Sequence, residues 1–323
     1  MRKMTYREAV VEALTYALEN DPKTFIAGED VGLRGGAFKD TYGLQAIFGP
    51  DRIIDTPISE MAIAGIGVGA AVAGYHPIVE ITYIDFIGVC MDEIMNQAAK
   101  IYYMYGGQRS VPMVLRCACG TGAYNAAHHS QSLEALVCHI PGLKVIMAAT
   151  PADAKGLLLS AIYDKNPVIC IEHRMLYNMT GDVPEGNYTV PLGKADVARE
   201  GKDVTLVTWS MARHTCLEAA ERLAAEGIDC EVVDLRTLIP YDKEAILNSV
   251  KKTNRLCIVH EANKTGGFGS EISAFVAENC IDYLDAPIVR VAGPDTSVPY
   301  SFPLEDEFRV DTDNVVTAVK SMF

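Results

Sequence analysis

The chain has no C-x-x-C pair, which argues against a zinc ribbon and against a thioredoxin-like redox motif. Cys117 and Cys119 form only a C-x-C, too tight to stand alone as a metal site. Positive charge is scarce: 28 Lys and Arg face 42 Asp and Glu, a formal net charge of −14. That balance argues against nucleic acid, whose phosphates need a basic face, and against an anionic membrane surface. Anionic small substrates stay open, because a local pocket can oppose the net charge. No stretch is long and apolar enough for a transmembrane helix, which takes about 20 residues. A nucleophile elbow, a kinase signature set and a short-period repeat are all missing. So is an acidic Gly-Asp-Gly segment followed by Asn, a form that grips a metal diphosphate.

What is present is ample apolar material, 49% of 323 residues, enough for two full-sized cores. The nine cysteines are an odd number, and MRKMTYREAV passes from charge directly into a helical pattern with no secretory signal. The expectation is a cytoplasmic protein whose thiols are reduced core fillers.

Strands and helices alternate along the chain. Tyr6 to Asn20 reads as an amphipathic helix with Ala9, Val10, Ala13, Leu14 and Leu18 on one face. Thr24 to Ala27 and Arg52 to Asp55 read as strands, Phe86 to Tyr103 as one long helix, and Val111 to Arg116 as a strongly apolar strand. Gly181 to Gly201 is turn-rich and reads as the inter-domain connector, with room for one short strand pairing locally. After it the alternation resumes from Val204 to Val291. The fold class expected is α/β, two αβα domains with parallel sheets covered on both faces. The boundary falls after residue 185, giving domains 1–185 and 186–323.

The richest stretch is Asp55 to Ala73, DTPISEMAIAGIGVGAAVA. Ser59 before an apolar run is a helix start signal, so Glu60 falls in the first turn. Gly65, Gly69 and Ala73 share one face, and each mid-helix Gly costs about 1 kcal/mol against Ala. A close helix contact is the expected compensation. A partly desolvated Glu60 could exchange a proton near neutral pH. The local pattern alone favours simple capping against the macrodipole.

Three other features carry candidate chemistry. Gly28-Glu29-Asp30 leaves a strand and lines either a cleft or a solvated turn. His128-His129 follows a Gly-rich loop at the carboxyl side of a strand, where ligand crevices lie. Taken as an isolated pair, these histidines read first as structural. His260-Glu261 opens like a zincin motif, but the fifth residue is Lys264, so that reading fails. The glycines of Gly266-Gly267-Phe268-Gly269 then read as a tight strand-to-helix turn.

Taken together, GEDVGLRGGAFKDTYGL, DTPISEMAIAGIGVGAA, NQAAKIYYMYGG, HHSQSLEAL, HIPGLKV, TPADAKGLL and VHEANKTGGFGSEI occur in this order. Jointly they resemble the beta subunits of thiamine diphosphate-dependent 2-oxo acid dehydrogenases, a family that includes the pyruvate, branched-chain and acetoin enzymes. The resemblance runs from about Thr5 to Val298. It implies a pyrimidine-binding domain followed by a transketolase-like C-terminal domain. It also explains the missing diphosphate motif, which in this family lies on a separate alpha subunit together with the magnesium. The active site would form in a heterotetramer of two alpha and two beta chains, with a lipoyl-bearing acyltransferase core as further partner.

By resemblance, Glu60 is the cofactor-activating glutamate and Phe86 the aromatic that stacks on the aminopyrimidine. Glu29 is a second carboxylate near that ring. His129 is the histidine placed to supply a proton as the lipoyl dithiolane opens. Met113, Ala161, Asp164 and Asn166 match positions whose main-chain oxygens hold potassium in some members. His128 stands where many members have Gln, and Cys117 to Gly120 departs from the commoner Gly- or Pro-containing form. The wording is closest to bacterial acetoin or pyruvate dehydrogenase beta subunits. The implied activity is decarboxylation or C–C cleavage with acyl transfer to lipoamide. The alternatives are one subunit of a split transketolase, against which Arg34, Arg116 and Arg174 lie scattered, and a non-catalytic scaffold partner of an alpha chain.

Overall fold

The computed structural model describes all residues, Met1–Phe323. The chain divides into two compact units: Met1–Cys119 with Leu136–Leu192, and Gly120–Ala135 with Gly193–Phe323. Each has its own sheet and core, as the alternation requires.

In the first unit the strands run in the spatial order Ile53–Thr56, Thr24–Glu29, His76–Tyr83, Val114–Cys119, Val168–His173, Lys144–Ile146. All of these neighbours pair in parallel. Val114–Cys119 and Val168–His173 are buried throughout. That is the expectation for strands covered on both faces. The chain leaves Thr24–Glu29 first to one side and then to the other, which makes a topological switch point at its carboxyl end.

The helix Tyr6–Asn20 forms over the residues expected, closed by a capping box of Thr5 and Glu8, with all five predicted apolar positions buried. It packs on the helix Pro151–Ile162, which starts with a Thr150 cap and Pro at its first position. Two short strands, Arg2–Thr5 and Thr180–Val183, pair antiparallel. Periodicity did not reveal the first; the second runs into the stretch read as connector, where one short local strand was expected.

One expectation is corrected. The long helix over 86–103 is instead a 3₁₀ stretch Ile84–Cys90, a π-helical stretch Glu93–Ala98 and a short α-turn Ile101–Met104. The buried positions give the reason: Ile84, Ile87 and Cys90 recur every three residues, then Ile94 and Ala98 at four. A spacing of three buries one face only if the backbone tightens to three residues per turn.

The second unit carries the order Val289–Gly293, Leu256–Asn263, Val204–Thr208, Cys230–Asp234, Asp196–Arg199. The first four are parallel and the last is an antiparallel edge. Helices Ala212–Ala224 and Thr312–Lys320 pack together, and Lys243–Thr253 packs with Gly269–Cys280. Cys216, Cys230 and Cys257 are fully buried in this core, and burial lifts their thiols well above the ordinary range. They are inert filler, as expected.

Gly201 shows how tight the entry to this sheet is. A Cβ there would lie 2.2 Å from the Cys230 carbonyl carbon and 2.3 Å from the Glu231 nitrogen. Neither can move without breaking the strand. Gly201→Ala is expected to cost about 3 kcal/mol, read as a lower urea midpoint for the full chain.

Candidate functional site

In the first unit the candidate residues gather at the switch point. Glu29 ends the strand Thr24–Glu29, and Thr82 lies near the end of the neighbouring strand His76–Tyr83. Thr82 Oγ1 donates to Glu29 Oε2 at 3.2 Å, while Glu29 Oε1 is buried and has no hydrogen-bond partner. Burial raises the Glu29 carboxyl above its usual range, and the negative charge of Glu60 raises it further. The two carboxylates are thus electrostatically coupled, as a site that handles a proton requires.

Glu60 begins the helix Glu60–Val72 and is 8% exposed. Ser59 takes the cap position but makes no side-chain cap hydrogen bond, so the helix start is not closed by that hydroxyl. Beneath it, Cys90 is pushed up to about 12 by burial and by the charge of Glu60. The half-buried Phe86 projects from the 3₁₀ stretch, edge-on to Tyr83 with ring centroids 6.5 Å apart.

The face of Gly65, Gly69 and Ala73 is covered only in part: Gly65 faces the π-helical stretch through Glu93, while Gly69 gains no close helix contact, contrary to expectation. A Cβ at Gly69 would touch nothing within 4 Å, and one at Gly65 would meet only the Glu93 side chain. On the open side Met61 is 57% exposed and Ile66 47%. The tight glycine is Gly67, where a Cβ would come within 3.0 Å of Val79.

The four proposed potassium positions lie together. Val168 N donates to Met113 O at 3.0 Å, which brings Met113 to the turn that holds Ala161, Asp164 and Asn166. The Ala161 carbonyl already accepts from Asp164 N at 3.2 Å. The Met113 oxygen is therefore met by one amide, and the Ala161 oxygen by two, since Tyr163 N also points to it. No group of three or more His, Cys, Asp or Glu side chains could hold a metal ion.

His129 belongs to the second unit. Its loop is strained: Tyr124 and Ala126 have φ of 55° and 64°, a conformation that persists only where the surroundings hold it. The holder is Glu305, fully buried, whose Oε1 accepts from Gly122 N at 2.6 Å and Tyr124 N at 3.3 Å. Tyr124 adds a hydroxyl bond to Asp306 at 2.9 Å and an edge contact with Phe302 at 4.5 Å. The rings of His128 and His129 lie 4.4 Å apart, and His128 is the more exposed. Beside them a cavity of about 470 Å³ opens at the carboxyl ends of two parallel strands, lined by Thr121, Ser130, Gln131, Glu261, Asn263 and Asp295.

Sequence reasoning missed Thr82 and Glu305. Neither stands in a local pattern, and Glu305 acts on backbone more than 180 residues away.

His260 is no metal ligand. It lies flat on Trp209, with ring centroids 5.1 Å apart and planes at 11°. Cβ atoms at Gly267 and Gly269 would come within 2.8 and 2.7 Å of its ring. That contact is why the strand-to-helix turn needs glycine at both places.

Two family models match the chain. The transketolase pyrimidine-binding domain matches residues 2–180, and the transketolase C-terminal domain matches 193–315. Fold and domain order therefore define a transketolase-type protein. Among curated proteins, the 2-oxoisovalerate dehydrogenase subunit beta of Bacillus subtilis (strain 168) is 45% identical, over 100% of this chain and 99% of its own. The acetoin:2,6-dichlorophenolindophenol oxidoreductase subunit beta of Cupriavidus necator is 45% identical, over 99% and 97%. The mitochondrial pyruvate dehydrogenase E1 component subunit beta of Dictyostelium discoideum is 48% identical, over 99% and 91%. A solved structure, a split gene transketolase in an inactive beta4 tetramer, superposes with a TM-score of 0.81 at 25% identity, covering 99% of this chain and 98% of that one. The chain belongs to the family of 2-oxo acid and acetoin dehydrogenase beta subunits.

Burial, and to a lesser degree Arg290, pushes the His260 imidazole down to about 4 from 6.5. The folded state therefore keeps it neutral, while the unfolded chain takes up a proton below 6.5. Stability is complete above that value and is lost as pH falls toward 4, by about 3 kcal/mol in all. Urea midpoints at about pH 7.5 and about pH 4.5 should show His260→Leu retaining more of its neutral-pH stability than the wild type.

Proposed function

We propose that this chain is the beta half of a thiamine diphosphate-dependent dehydrogenase acting on a 2-oxo acid of the pyruvate type or on acetoin, with acyl transfer to lipoamide. It has a pyrimidine-binding domain over 1–185 and a transketolase-like domain over 186–323. The observation that carries the reading is the Glu29–Glu60 pair at the switch point, with Glu29 raised and its buried Oε1 unpartnered. A buried acceptor without a donor costs about 1–3 kcal/mol unless a ligand supplies one. An amino-substituted pyrimidine brings such donors, so the residues fit the group.

When bound, thiamine diphosphate supplies the carbon nucleophile for the substrate carbonyl. The protein's part is to set protonation and position. Glu60 holds a proton against a ring nitrogen of the pyrimidine, a task that suits a carboxylate only 8% exposed at a helix start. Phe86 offers its face to the ring. Glu29 would stand as the second carboxylate near that ring, its free Oε1 open to a donor. His129 would supply a proton as the lipoyl dithiolane opens. Magnesium and the diphosphate fall to an alpha subunit in a two-alpha, two-beta assembly, and the lipoyl-bearing core is the acyl acceptor's carrier. The carbonyls of Met113, Ala161, Asp164 and Asn166 are the proposed potassium ligands.

The open side at Gly69, with Met61 and Ile66 exposed on the same helix, supports a partner chain on this helix. The nine free cysteines support a reducing, cytoplasmic setting. No helix is long and apolar enough to cross a membrane.

The split transketolase neighbour keeps that second reading alive. Against it, Arg116 is buried and committed to three carboxylates, which removes one of the three cations that could grip a sugar phosphate.

The chain, co-purified with its alpha partner and supplied with thiamine diphosphate, magnesium and an artificial electron acceptor, should turn over pyruvate, a branched 2-oxo acid or acetoin. Glu60→Gln should lower kcat by about 10²–10⁴-fold with co-purification unchanged. Near-normal turnover in that variant would sink the catalytic reading in favour of a scaffold. Turnover of a ketose phosphate, with none of the oxo acids or acetoin, would favour the transketolase.

A further inference from the structure

Beside the candidate site lies a buried charge cluster that the proposed reaction does not use. Arg116 is 1% exposed and donates in three directions. Nε and Nη2 grip Glu172 at 2.7 and 2.9 Å, Nη1 reaches Glu80 at 2.8 Å, and Nη2 also reaches Asp40 at 2.6 Å. Glu80 and Glu172 stand on the two strands that flank the Arg116 strand. Asp40 comes from the loop that follows Glu29.

Three carboxylates against one guanidinium leave excess negative charge where water cannot screen it. One proton halves the excess. Burial, then the Asp40 charge, raises the Glu80 carboxyl well above its ordinary range, and the neighbouring Nη1 and Nη2 of Arg116 hold the two carboxyls side by side. Glu172 is satisfied differently, by the Arg116 fork and by the Tyr177 hydroxyl at 3.0 Å. The remaining groups facing the cluster add no compensating charge within it. Tyr6, Cys117, Cys170 and Tyr177 are all held protonated by burial. Cys119 is buried, Asp85 adds negative charge near Cys117, and the Arg7 guanidinium lies over the Tyr177 ring, 6.0 Å from its centroid.

Asp40 anchors more than itself. Phe38, two residues earlier, stacks on Tyr177 with centroids 5.3 Å apart and meets Tyr83 edge-on at 5.6 Å. Tyr83 in turn meets Phe86. Gly36, at φ of +80°, curls the loop so closely that a Cβ would come within 2.5 Å of Asp40 Oδ1. At its other end the loop is tied by Gly32 N to Asp55 at 2.6 Å.

We propose that Asp40, Glu80 and Arg116 form a proton-dependent clamp on the loop 32–43, which positions Phe38 and, through Tyr83, the ring of Phe86, and which opens as pH rises. The three are positioning residues, and the link to cofactor rests on the function proposed above. The clamped form holds its proton on Glu80, where the neighbouring Asp40 disfavours a second negative charge; once Asp40 has left, Glu80 faces Arg116 without that neighbour and gives the proton up more readily. Clamping therefore weakens as pH rises toward the raised range of Glu80, by up to about tenfold per pH unit. An amide at either position brings its own N–H donor and needs no proton, so its clamp is independent of pH in that range.

The test uses the chain assembled with its alpha partner. Hydrogen exchange of residues 32–43, corrected for the intrinsic rate, and the apparent KM for thiamine diphosphate are followed toward alkaline pH. In the wild type, loop protection should fall and KM should rise by up to about tenfold per pH unit, with kcat at saturating cofactor far less affected. Asp40→Asn and Glu80→Gln should each flatten both responses. A wild-type loop whose protection does not change with pH overturns the clamp. So do amide variants that keep the wild-type slope, or that both fail to fold at neutral pH. A loop that opens while KM stays flat overturns the positioning role. An intact loop response with no thiamine diphosphate bound at any pH overturns the preceding functional proposal instead, and leaves the clamp itself standing.

Discussion

A guanidinium buried in the middle of a parallel sheet has to be matched from every side at once. Arg116 lies on Val114–Cys119, and each neighbouring strand answers it with a carboxylate, Glu80 on one side and Glu172 on the other. Removing one partner of such a set costs about 3–5 kcal/mol, because the remaining charge stays buried. Replacing the whole set by apolar residues could be neutral, so stability alone does not explain it. What it adds is registry. Opposite charges fix which residue of one strand stands beside which of the next, and that register sets where the carboxyl ends of the strands fall.

Those ends are where the chemistry-bearing residues stand. Glu29 and Thr82 meet because two adjacent strands end level with each other, and Glu60 joins them because the strand Ile53–Thr56 hands its chain to a helix there. The second unit follows the same logic with different parts. Its cavity opens at the carboxyl ends of Leu256–Asn263 and Val289–Gly293, and the strained loop of His129 is held by the buried Glu305. In both units a desolvated carboxylate does the organising, at Glu29 through its raised affinity for a proton and at Glu305 through the amides it orders.

Much of this was legible in the sequence where one local rule governed the result. The helix Tyr6–Asn20 follows from a 3.6-residue apolar period and a capping box, and the inner strands from unbroken apolar runs. The segment 84–104 was misread because 3₁₀, α and π turns share an apolar stripe at low resolution. The buried spacing of three at Ile84, Ile87 and Cys90 was the signal that distinguishes them. Glu60, Glu29, Phe86 and His129 were named through a family resemblance, since none has a residue pattern that would single it out. Thr82, Glu305 and Asp40 were beyond reach because their roles are defined by partners far away in sequence, 53, 183 and 76 residues distant.

The Glu60 helix shows the limit of any account confined to one chain. Its glycines carry a helix-propensity cost of about 1 kcal/mol each, and the usual compensation is close packing. Gly67 receives it from Val79 and Met113. Gly65 meets only the Glu93 side chain and Gly69 nothing, while Met61 and Ile66 on the same helix are exposed. Within this chain the helix therefore bears part of its conformational cost without a matching contact, and it is the helix that starts with the carboxylate proposed to handle the proton. A second chain laid against Gly69 would repay that part, which gives the proposed alpha partner a physical role in holding this helix beyond the binding groups it contributes.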